Sequence, residues 1–352
     1  MVSRRALTLL LSGLLALGLA GGGFAFTVPY VEILPGPAYD TLGTKGTAGN
    51  KPVIEIGGAK TYPTNGELDL LTVYVNNQLT LGDAVRGWFD TDVAVVPREL
   101  IYPPDQSDEA IKKQNVADMT KSQDSATQAA FGELGIASET VSVKAVSAGS
   151  PSQGKLLAGD VLTSVDGAKV LSAMQLRALI GSHQVGQALA IGFVRGAAEG
   201  TVSITTMASG AASAGSPARP VIGIETAAAP VPKLPKVTIN LMDVGGPSAG
   251  MMFALGIIDK LSPDSLTGGK HIAGTGEIDA VGKVGPIGGI VQKLIAARHN
   301  GATYFLSPAE NCAEVVGRIP AGMTVARVAT LRDAVAALAD LRAGRTAPTC
   351  TS

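Results

Sequence analysis

The apolar and polar positions of this 352-residue chain fall into blocks with different periods. An uncharged run of mostly apolar and glycine residues covers 6–31, and about 20 such residues suffice for a helix that crosses a bilayer. Residues 66–76 are rich in β-branched side chains and predict a strand. Residues 81–89 and 107–134 predict helices, of which the second is long and polar. Small residues dominate 208–219 and predict a flexible linker.

The charges before the apolar run predict its orientation. Arg4 and Arg5 precede the run, and the positive-inside rule keeps such a flank in the cytoplasm, so the body of the chain is expected outside. A cleaved signal peptide is the alternative, because Gly23 and Ala25 suit a cleavage site before Phe26. Since the run stays apolar past that site, we favour an uncleaved anchor at 6–29 that crosses the cell membrane once.

Composition narrows the classes of partner. The net charge is −1 and no basic cluster stands out, which argues against a nucleic-acid partner. The three histidines show no ligand spacing with the two cysteines, so neither a metal nor a cofactor is expected. An even cysteine count outside the cytoplasm permits one disulfide, which we predict between Cys312 and Cys350. Two unrelated thiols are the alternative.

A serine lies between small residues at the start of an apolar helix predicted over 248–261, in the segment Gly245-Gly-Pro-Ser-Ala-Gly250. Pro247 suits the first helical position, which puts Ser248 in the first turn. Unpaired N–H groups and the positive end of the helix dipole could stabilise an oxyanion there. We therefore predict Ser248 as a nucleophile, with Gly246, Pro247 and Ala249 as the backbone around the oxyanion. A serine that only caps the helix is the alternative.

A lysine follows 45 residues later on a second helical stretch, 286–299. At helical spacing Lys293 shares a face with Ile290 and Ala297. Burial lowers the pKa of a lysine, and a neutral amine could take the proton of a serine. The pair predicts a Ser-Lys dyad, whereas an ordinary surface lysine that buries only its stem is the alternative.

Several motifs in this region resemble the proteolytic domain of the Lon proteases. Gly-Pro-Ser248-Ala-Gly is similar to the family's nucleophile motif, and Gly274-Thr-Gly-Glu-Ile278 to its Thr-Gly-Glu strand. The run Gly282-Lys-Val-Gly-Pro-Ile-Gly-Gly289 followed by Lys293 is similar to its lysine motif, and Glu310-Asn311 to its Glu-Asn pair. The resemblance covers about 237–341.

The resemblance implies a role for each matched residue. Ser248 is the expected nucleophile, Lys293 the general base, and Thr275 the hydroxyl that orients the lysine amine. The chain departs from the family at one place, because Val244 and Gly245 stand where many Lon proteases carry Lys-Asp. Asp243 lies upstream, and the acid that pairs with the lysine in some relatives is left unassigned.

A second region, 131–207, resembles a PDZ domain of the bacterial protease type. Leu134, Gly135 and Ile136 are similar to the loop that binds a peptide carboxylate, and the turns at Asp160 and Asp166-Gly167 follow in the family's order. The helix that borders the groove is expected at 172–180. Such domains add an extended peptide to the edge of a sheet.

Together these features resemble the membrane-anchored, PDZ-containing Lon-like proteases of bacteria. The expected fold is α+β: a membrane anchor (6–29), an N-terminal extracytoplasmic segment (30–125), a PDZ domain (126–207), the linker (208–219), a Lon-like proteolytic domain (220–345) and a tail (346–352). The strand at 68–75 could pair with the proteolytic sheet, which would make the PDZ domain an insertion; a separate N-terminal domain is the alternative.

The expected function is that of a serine endopeptidase acting on proteins or peptides. No Gly-x-x-x-x-Gly-Lys-Ser/Thr phosphate loop occurs in the chain, so no ATP is expected to be used. The other function class is a non-catalytic PDZ adaptor with a degenerate Lon-like scaffold. A homo-oligomer is left open.

Overall fold

The computed structural model describes residues 4–44, 51–209, 218–241 and 244–351. Its helices are α1 (Arg4–Ala25), α2 (Leu81–Phe89), α3 (Asp108–Leu134), α4 (Ala173–Gly181), α5 (Gly250–Leu261), α6 (Ile290–His299), α7 (Cys312–Val315) and α8 (Leu331–Arg342). Its strands are β1 (Tyr30–Asp40), β2 (Ile54–Gly57), β3 (Glu67–Asn76), β4 (Ala94–Pro97), β5 (Glu139–Val146), β6 (Val161–Val165), β7 (Ala168–Lys169), β8 (Ala188–Arg195), β9 (Ala198–Thr205), β10 (Met207–Ala208), β11 (Pro220–Val221), β12 (Ile224–Pro230), β13 (Lys236–Ile239), β14 (His271–Gly274), β15 (Glu277–Ile278), β16 (Val284–Gly285), β17 (Tyr304–Pro308) and β18 (Thr324–Val328).

A six-stranded sheet of order β18-β17-β14-β3-β1-β4 is the centre of the larger domain. Its four strands from β18 to β3 run parallel, β1 pairs antiparallel with β3, and β4 pairs antiparallel with β1 at the edge. The strand predicted at 66–76 is β3, and it pairs directly with β14. Strands β2 and β13 also pair across the intervening region. Residues from both sides of the PDZ-like region therefore build one sheet-based domain, and the first part does not fold separately.

Helices cover both faces of this sheet. Helix α5 is buried along nearly its whole length, from Gly250 to Asp259, as expected for a helix that is apolar all round. It packs between the sheet, α3 and α8, and the side chains of that core include Leu68, Ile272 and Leu338. Helix α6 covers the opposite face with Ile290, Leu294 and Ala297. Helices α5 and α6 therefore pack on opposite faces of the same sheet.

The second, smaller domain is a sheet of order β12-β5-β6-β8-β9, with α4 packed on its core. Strand β12 pairs with β5 over Ile224–Pro230, so this sheet extends beyond residue 207, where the sequence-based boundary lies. The boundary differs because β12 follows the linker in the chain and returns to the sheet. Residues 210–217 of the predicted linker lie outside the described residues.

The N-terminal run forms helix α1, with leucines such as Leu9, Leu14 and Leu17 largely exposed. Within the described ranges, the structure contains no helix whose length and apolar character would let it cross a membrane. The predicted membrane-spanning helix is therefore not confirmed. Helix α2 lies beside α1, and its Leu81 N–H donates to the carbonyl of Phe26.

A disulfide joins Cys312, at the start of α7, to Cys350 in the C-terminal tail, with their Cα atoms 5.1 Å apart. The tail also pairs with the sheet, because Cys350 N–H donates to the carbonyl of Val325 and Arg327 N–H to that of Pro348. Cys350 is buried in the core beneath α6. The covalent bond therefore attaches the tail to the larger domain.

Removing this disulfide should destabilise the larger domain. The bond closes a loop over a separation of 38 residues, for which chain entropy predicts a loss of about 3–4 kcal/mol in the free energy of unfolding of Cys312→Ser/Cys350→Ser. Denaturant unfolding followed by circular dichroism measures the loss. The reductant control should lower the stability of the parent chain to that of the double variant and leave the variant unchanged. Equal stability of oxidised and reduced parent chains would contradict the prediction.

Candidate active site

The turn before α5 presents Ser248. The helix starts at Gly250 with Ala249 as its N-cap, so Ser248 lies just outside the helix. The sequence had predicted that Ser248 would lie in the first turn. Glycine at 246 is required by the turn, because its φ of 84° lies in the left-handed region. The carbonyl of Ser248 accepts hydrogen bonds from Gly276 N–H (2.8 Å) and Thr275 Oγ1 (2.9 Å). The serine is thereby attached to the end of β14.

Helix α3 supports the same turn from the other side. Asn115 offers its carbonyl to Gly246 N–H at 3.0 Å, and Ser122 Oγ donates to the carbonyl of Pro247 at 2.9 Å. Sequence reasoning missed both residues because 107–134 looked uniformly polar. Small or apolar buried residues recur along α3 at helical spacing, at Met119, Ser122, Ala126 and Ala129, and that period is the signal for a packed face.

Lys293 approaches Ser248 from α6. The helix begins after Gly289, whose φ of 70° lets the chain turn onto the face of the sheet. The side chain of Lys293 is buried, with 2% exposure, and its Nζ lies 2.7 Å from Ser248 Oγ and 3.0 Å from Thr275 Oγ1. The three predicted residues are therefore within hydrogen-bond distance of one another.

The hydrogen bonds of Thr275 determine how the amine is oriented. Because its hydroxyl proton goes to the carbonyl of Ser248, Thr275 Oγ1 can only accept from Lys293 Nζ. One N–H of the amine is thus directed at Thr275. When the amine is neutral, its lone pair remains for the proton of Ser248 Oγ.

Burial changes the protonation of Lys293. Desolvation lowers the pKa of its ammonium from 10.5 to about 7, and the charge of Glu277 opposes this shift by favouring the ammonium. The unfolded chain binds this proton more tightly, so through this group the stability of the protein increases as the pH rises from about 7 toward 10.5. Burial also raises the pKa of the Glu277 carboxyl, aided by the charge of Asp118. Asp243 lies outside the described residues.

A cleft of 360 Å³ opens beside Ser248 and Lys293. One wall comes from β1 and β3, with Tyr39 and Tyr74, and the opposite wall carries Ser248, Glu277 and Lys293. Strands that precede the PDZ-like region therefore form half of the cleft. Buried Asn311 supports its floor, because its side chain accepts from Ile287 N–H at 2.9 Å and donates to the Ile287 carbonyl at 3.0 Å.

The backbone N–H groups that are free to bind an oxyanion differ from those that the sequence predicted. Pro247 has no N–H, and the N–H of Gly246 is occupied by the Asn115 carbonyl, so neither can bind an oxyanion in this conformation. The N–H groups of Ser248 and Ala249 have no acceptor among the described residues. They stand at the N-terminal end of α5, where the helix dipole is positive.

The predicted carboxylate-binding loop lies at the end of α3. Gly135 is the left-handed C-cap of that helix, with a φ of 69°, and Leu134 and Ile136 pack against the core of the larger domain. A helix C-cap followed by an apolar residue has the same Leu-Gly-Ile pattern as such a loop. The role of Leu134, Gly135 and Ile136 as peptide ligands therefore stays a prediction.

A similar pattern, Ile222-Gly223-Ile224, precedes β12. Ile222 is buried in the core of the smaller domain, and Gly223 has a φ of 74° and offers its carbonyl to Ser150 Oγ. Within the described ranges β12 pairs only with β5, so its other edge is open, and α4 lies close to it. This edge has the features of a site for strand addition.

Three potential metal ligands also meet, at the opposite end of β3 and β14 from Thr275. One ligand atom each from Glu67, Asp69 and His271 lies within 4.8 Å of the others. The expectation of no metal rested on spacing along the chain, which cannot detect residues that parallel strands bring together.

Comparison with known proteins agrees with the two regions. A profile of the Lon protease (S16) C-terminal proteolytic domain matches residues 240–339, and a PDZ domain profile matches 117–206. Lon protease of Azospirillum brasilense is 36% identical over 91 residues, which are 25% of this chain and 11% of that protein. Lon protease 2 of Bacillus subtilis is 34% identical over 90 residues, 26% of this chain and 16% of that protein.

Among solved structures, the PDZ domain of the SdrC-like protein from Listeria monocytogenes is 28% identical, with a TM-score of 0.22 and coverage of 25% of this chain and 86% of that one. The matched part of this chain corresponds to about a tenth to a sixth of the length of the two Lon relatives. The chain thus contains a Lon-type (S16) proteolytic domain and a PDZ domain, both of mixed α/β content.

Proposed function

We propose that the protein is a serine endopeptidase that uses Ser248 and Lys293 as a catalytic dyad and needs no ATP. The observation that carries the proposal is the distance of 2.7 Å between Ser248 Oγ and a buried lysine amine whose pKa is lowered to about 7. A lysine of this kind costs stability, and a non-catalytic adaptor would gain nothing from it. Peptidase activity is therefore favoured over the scaffold alternative.

The geometry supports a stepwise acyl transfer. Neutral Lys293 takes the proton of Ser248 Oγ while the oxygen attacks a peptide carbonyl in the cleft. The N–H groups of Ser248 and Ala249 stabilise the oxyanion, each by about 3–4 kcal/mol if they act as in other hydrolases. The ammonium then gives its proton to the leaving amine, and a water molecule releases the acyl group with Lys293 again as base.

We also propose that the PDZ domain delivers protein substrates through β12. Val231 N–H donates to the carbonyl of Ser138 on the β5 side, and the alternation of a strand then directs the N–H of Ala228 toward the open edge. An extended peptide could accept from that N–H. Its carboxylate would meet the turn at Gly223.

For the location, we propose that the body lies outside the cytoplasm and that α1 and α2 hold it at a lipid surface. The leucines of α1 from Leu7 to Leu17 are 55–75% exposed, and α2 exposes Leu81, Val85, Trp88 and Phe89 on one stripe by 41–86%. Exposed apolar stripes with tryptophan are typical of helices in a membrane interface. The disulfide supports an oxidising compartment.

Replacing either dyad residue should abolish peptide hydrolysis without unfolding the chain. Ser248→Ala removes the nucleophile, and Lys293→Met keeps the buried stem while removing the base. Fluorogenic peptide cleavage by purified variants measures the effect, with circular dichroism as the control for folding. Hydrolysis at the parental rate by a folded Ser248→Ala chain would refute the dyad.

The activity should depend on pH through Lys293. Because the amine must be neutral, kcat/KM should rise through a midpoint near 7. Glu277→Gln removes a charge that favours the ammonium, so the midpoint should move to lower pH. The control Asp279→Asn changes a neighbouring carboxylate that binds the backbone of Val281 and Lys283. A midpoint that moves to higher pH in Glu277→Gln would contradict the assignment.

Blocking the edge of β12 should impair cleavage of proteins more than of short peptides. Ala228→Pro removes an outward N–H but no bond to β5, and proline is tolerated at such edge positions. Ala228→Val is the matched control, since it keeps the N–H. Comparing the cleavage of an unfolded protein with that of a short fluorogenic peptide tests the proposal; equal loss for both substrates would oppose a delivery role.

Trp88 is the only tryptophan of the chain, so its fluorescence reports on α2 alone. In lipid vesicles its emission should shift to shorter wavelength and be quenched by brominated lipids. The control Trp88→Phe/Val185→Trp carries the probe on the PDZ domain and should not be quenched. Flotation with vesicles tests attachment separately, and a chain that does not float would contradict the lipid contact.

Protection from protease added to intact spheroplasts would contradict the extracytoplasmic body.

A further inference from the structure

Asp69 on β3 is a fully buried carboxylate with an unsatisfied oxygen. Its Oδ2 lies 2.8 Å from Nε2 of His271, so the carboxylate faces the imidazole. Its Oδ1 is buried and has no hydrogen-bond partner among the described residues. Buried polar atoms in native proteins almost always have a partner, and one without calls for a water molecule or an ion.

The register of two parallel strands supplies the other ligands. His271, the first residue of β14, pairs with Glu67, the first residue of β3, and Asp69 follows two residues later on the same face. Nε2 of His271 lies 3.5 Å from Glu67 Oε2, so one imidazole nitrogen faces two carboxylates. Asp40 adds negative charge nearby.

We propose that Glu67, Asp69 and His271 bind a divalent transition-metal ion, with Zn²⁺ as the best match. Ligands about 2.1 Å from a tetrahedral Zn²⁺ lie roughly 3.4 Å apart, close to the 2.8 and 3.5 Å that separate Nε2 from the two carboxylates. An imidazole ligand favours Zn²⁺ or Co²⁺ over Mg²⁺ and Ca²⁺, which prefer oxygen ligands. Water would complete the coordination.

The role of this ion is structural. Strand β3 precedes the PDZ domain in the chain and β14 follows it, so a metal bound at this pair joins the two parts of the proteolytic domain. The cluster lies at the start of β14, whereas Thr275 follows its end, so the ion does not contact the dyad. The inference is independent of the proposed peptidase activity.

The test uses the untagged full-length Ser248→Ala chain, which is stripped with a chelator and titrated with Co²⁺. We expect one Co²⁺ per chain with the visible absorption of a tetrahedral site, displaced by Zn²⁺, and a higher unfolding temperature on binding. Glu67→Gln, Asp69→Asn and His271→Gln should each weaken binding by about tenfold or more. Glu67 is half exposed, so its variant should fold normally.

The matched control is a second histidine-carboxylate pair among the residues that the structure describes. His183 Nε2 lies 3.1 Å from Asp166 Oδ2 on the PDZ domain. His183→Gln should leave Co²⁺ binding unchanged. The proposal is overturned if Co²⁺ does not bind stoichiometrically, or if a folded Glu67→Gln chain binds it as tightly as the parent. The first result would leave Asp69 and His271 as a hydrogen-bonded pair without an ion, and the second would show that the three residues do not form the site.

Discussion

The buried amine of Lys293 is the constraint on which the rest of the site depends. An ammonium inside a protein is costly, so the chain can keep this side chain buried only where it is neutral or hydrogen-bonded. Helix α6 places Lys293 against one face of the sheet, where Ser248 and Thr275 are its hydrogen-bond partners. The negative charge of Glu277 favours the protonated amine. Burial thus lowers the pKa of this amine to about 7, and the proposed role of Lys293 as a base rests on that shift.

Strands from distant parts of the chain meet around this lysine. Strands β1 and β3 line one side of the cleft beside Lys293, and both strands precede the PDZ domain. Helix α3 leads from those strands to the PDZ domain and contacts the serine turn through Asn115 and Ser122. One long helix therefore connects the PDZ domain to the turn that carries Ser248.

Local patterns predicted the bounds of helices and strands well where a pattern is compatible with only one structure. Helix α2 has the predicted bounds of 81–89, and its capping box at Thr80 and Asp83 shows why the start is sharp. The Leu-Gly-Ile pattern at 134–136 was ambiguous, because glycine in the left-handed region ends helices as readily as it shapes a binding loop. The start of α5 was missed by two residues, since the turn at Gly246 precedes the helix.

By itself the sequence determined the types of chemistry present: a serine among small residues, a lysine on an apolar helix face, a threonine after a short strand, and two cysteines. The identities of these residues and their order are enough to predict the chemistry, because each motif is short and its residues are neighbours in the chain. Only the tertiary structure decided the distances between them, the lowered pKa of Lys293, the open edge at β12 and the meeting of Glu67, Asp69 and His271. These depend on pairing between distant strands, such as that of Glu67 with His271, which are 271 − 67 = 204 positions apart, and no local pattern records a parallel register.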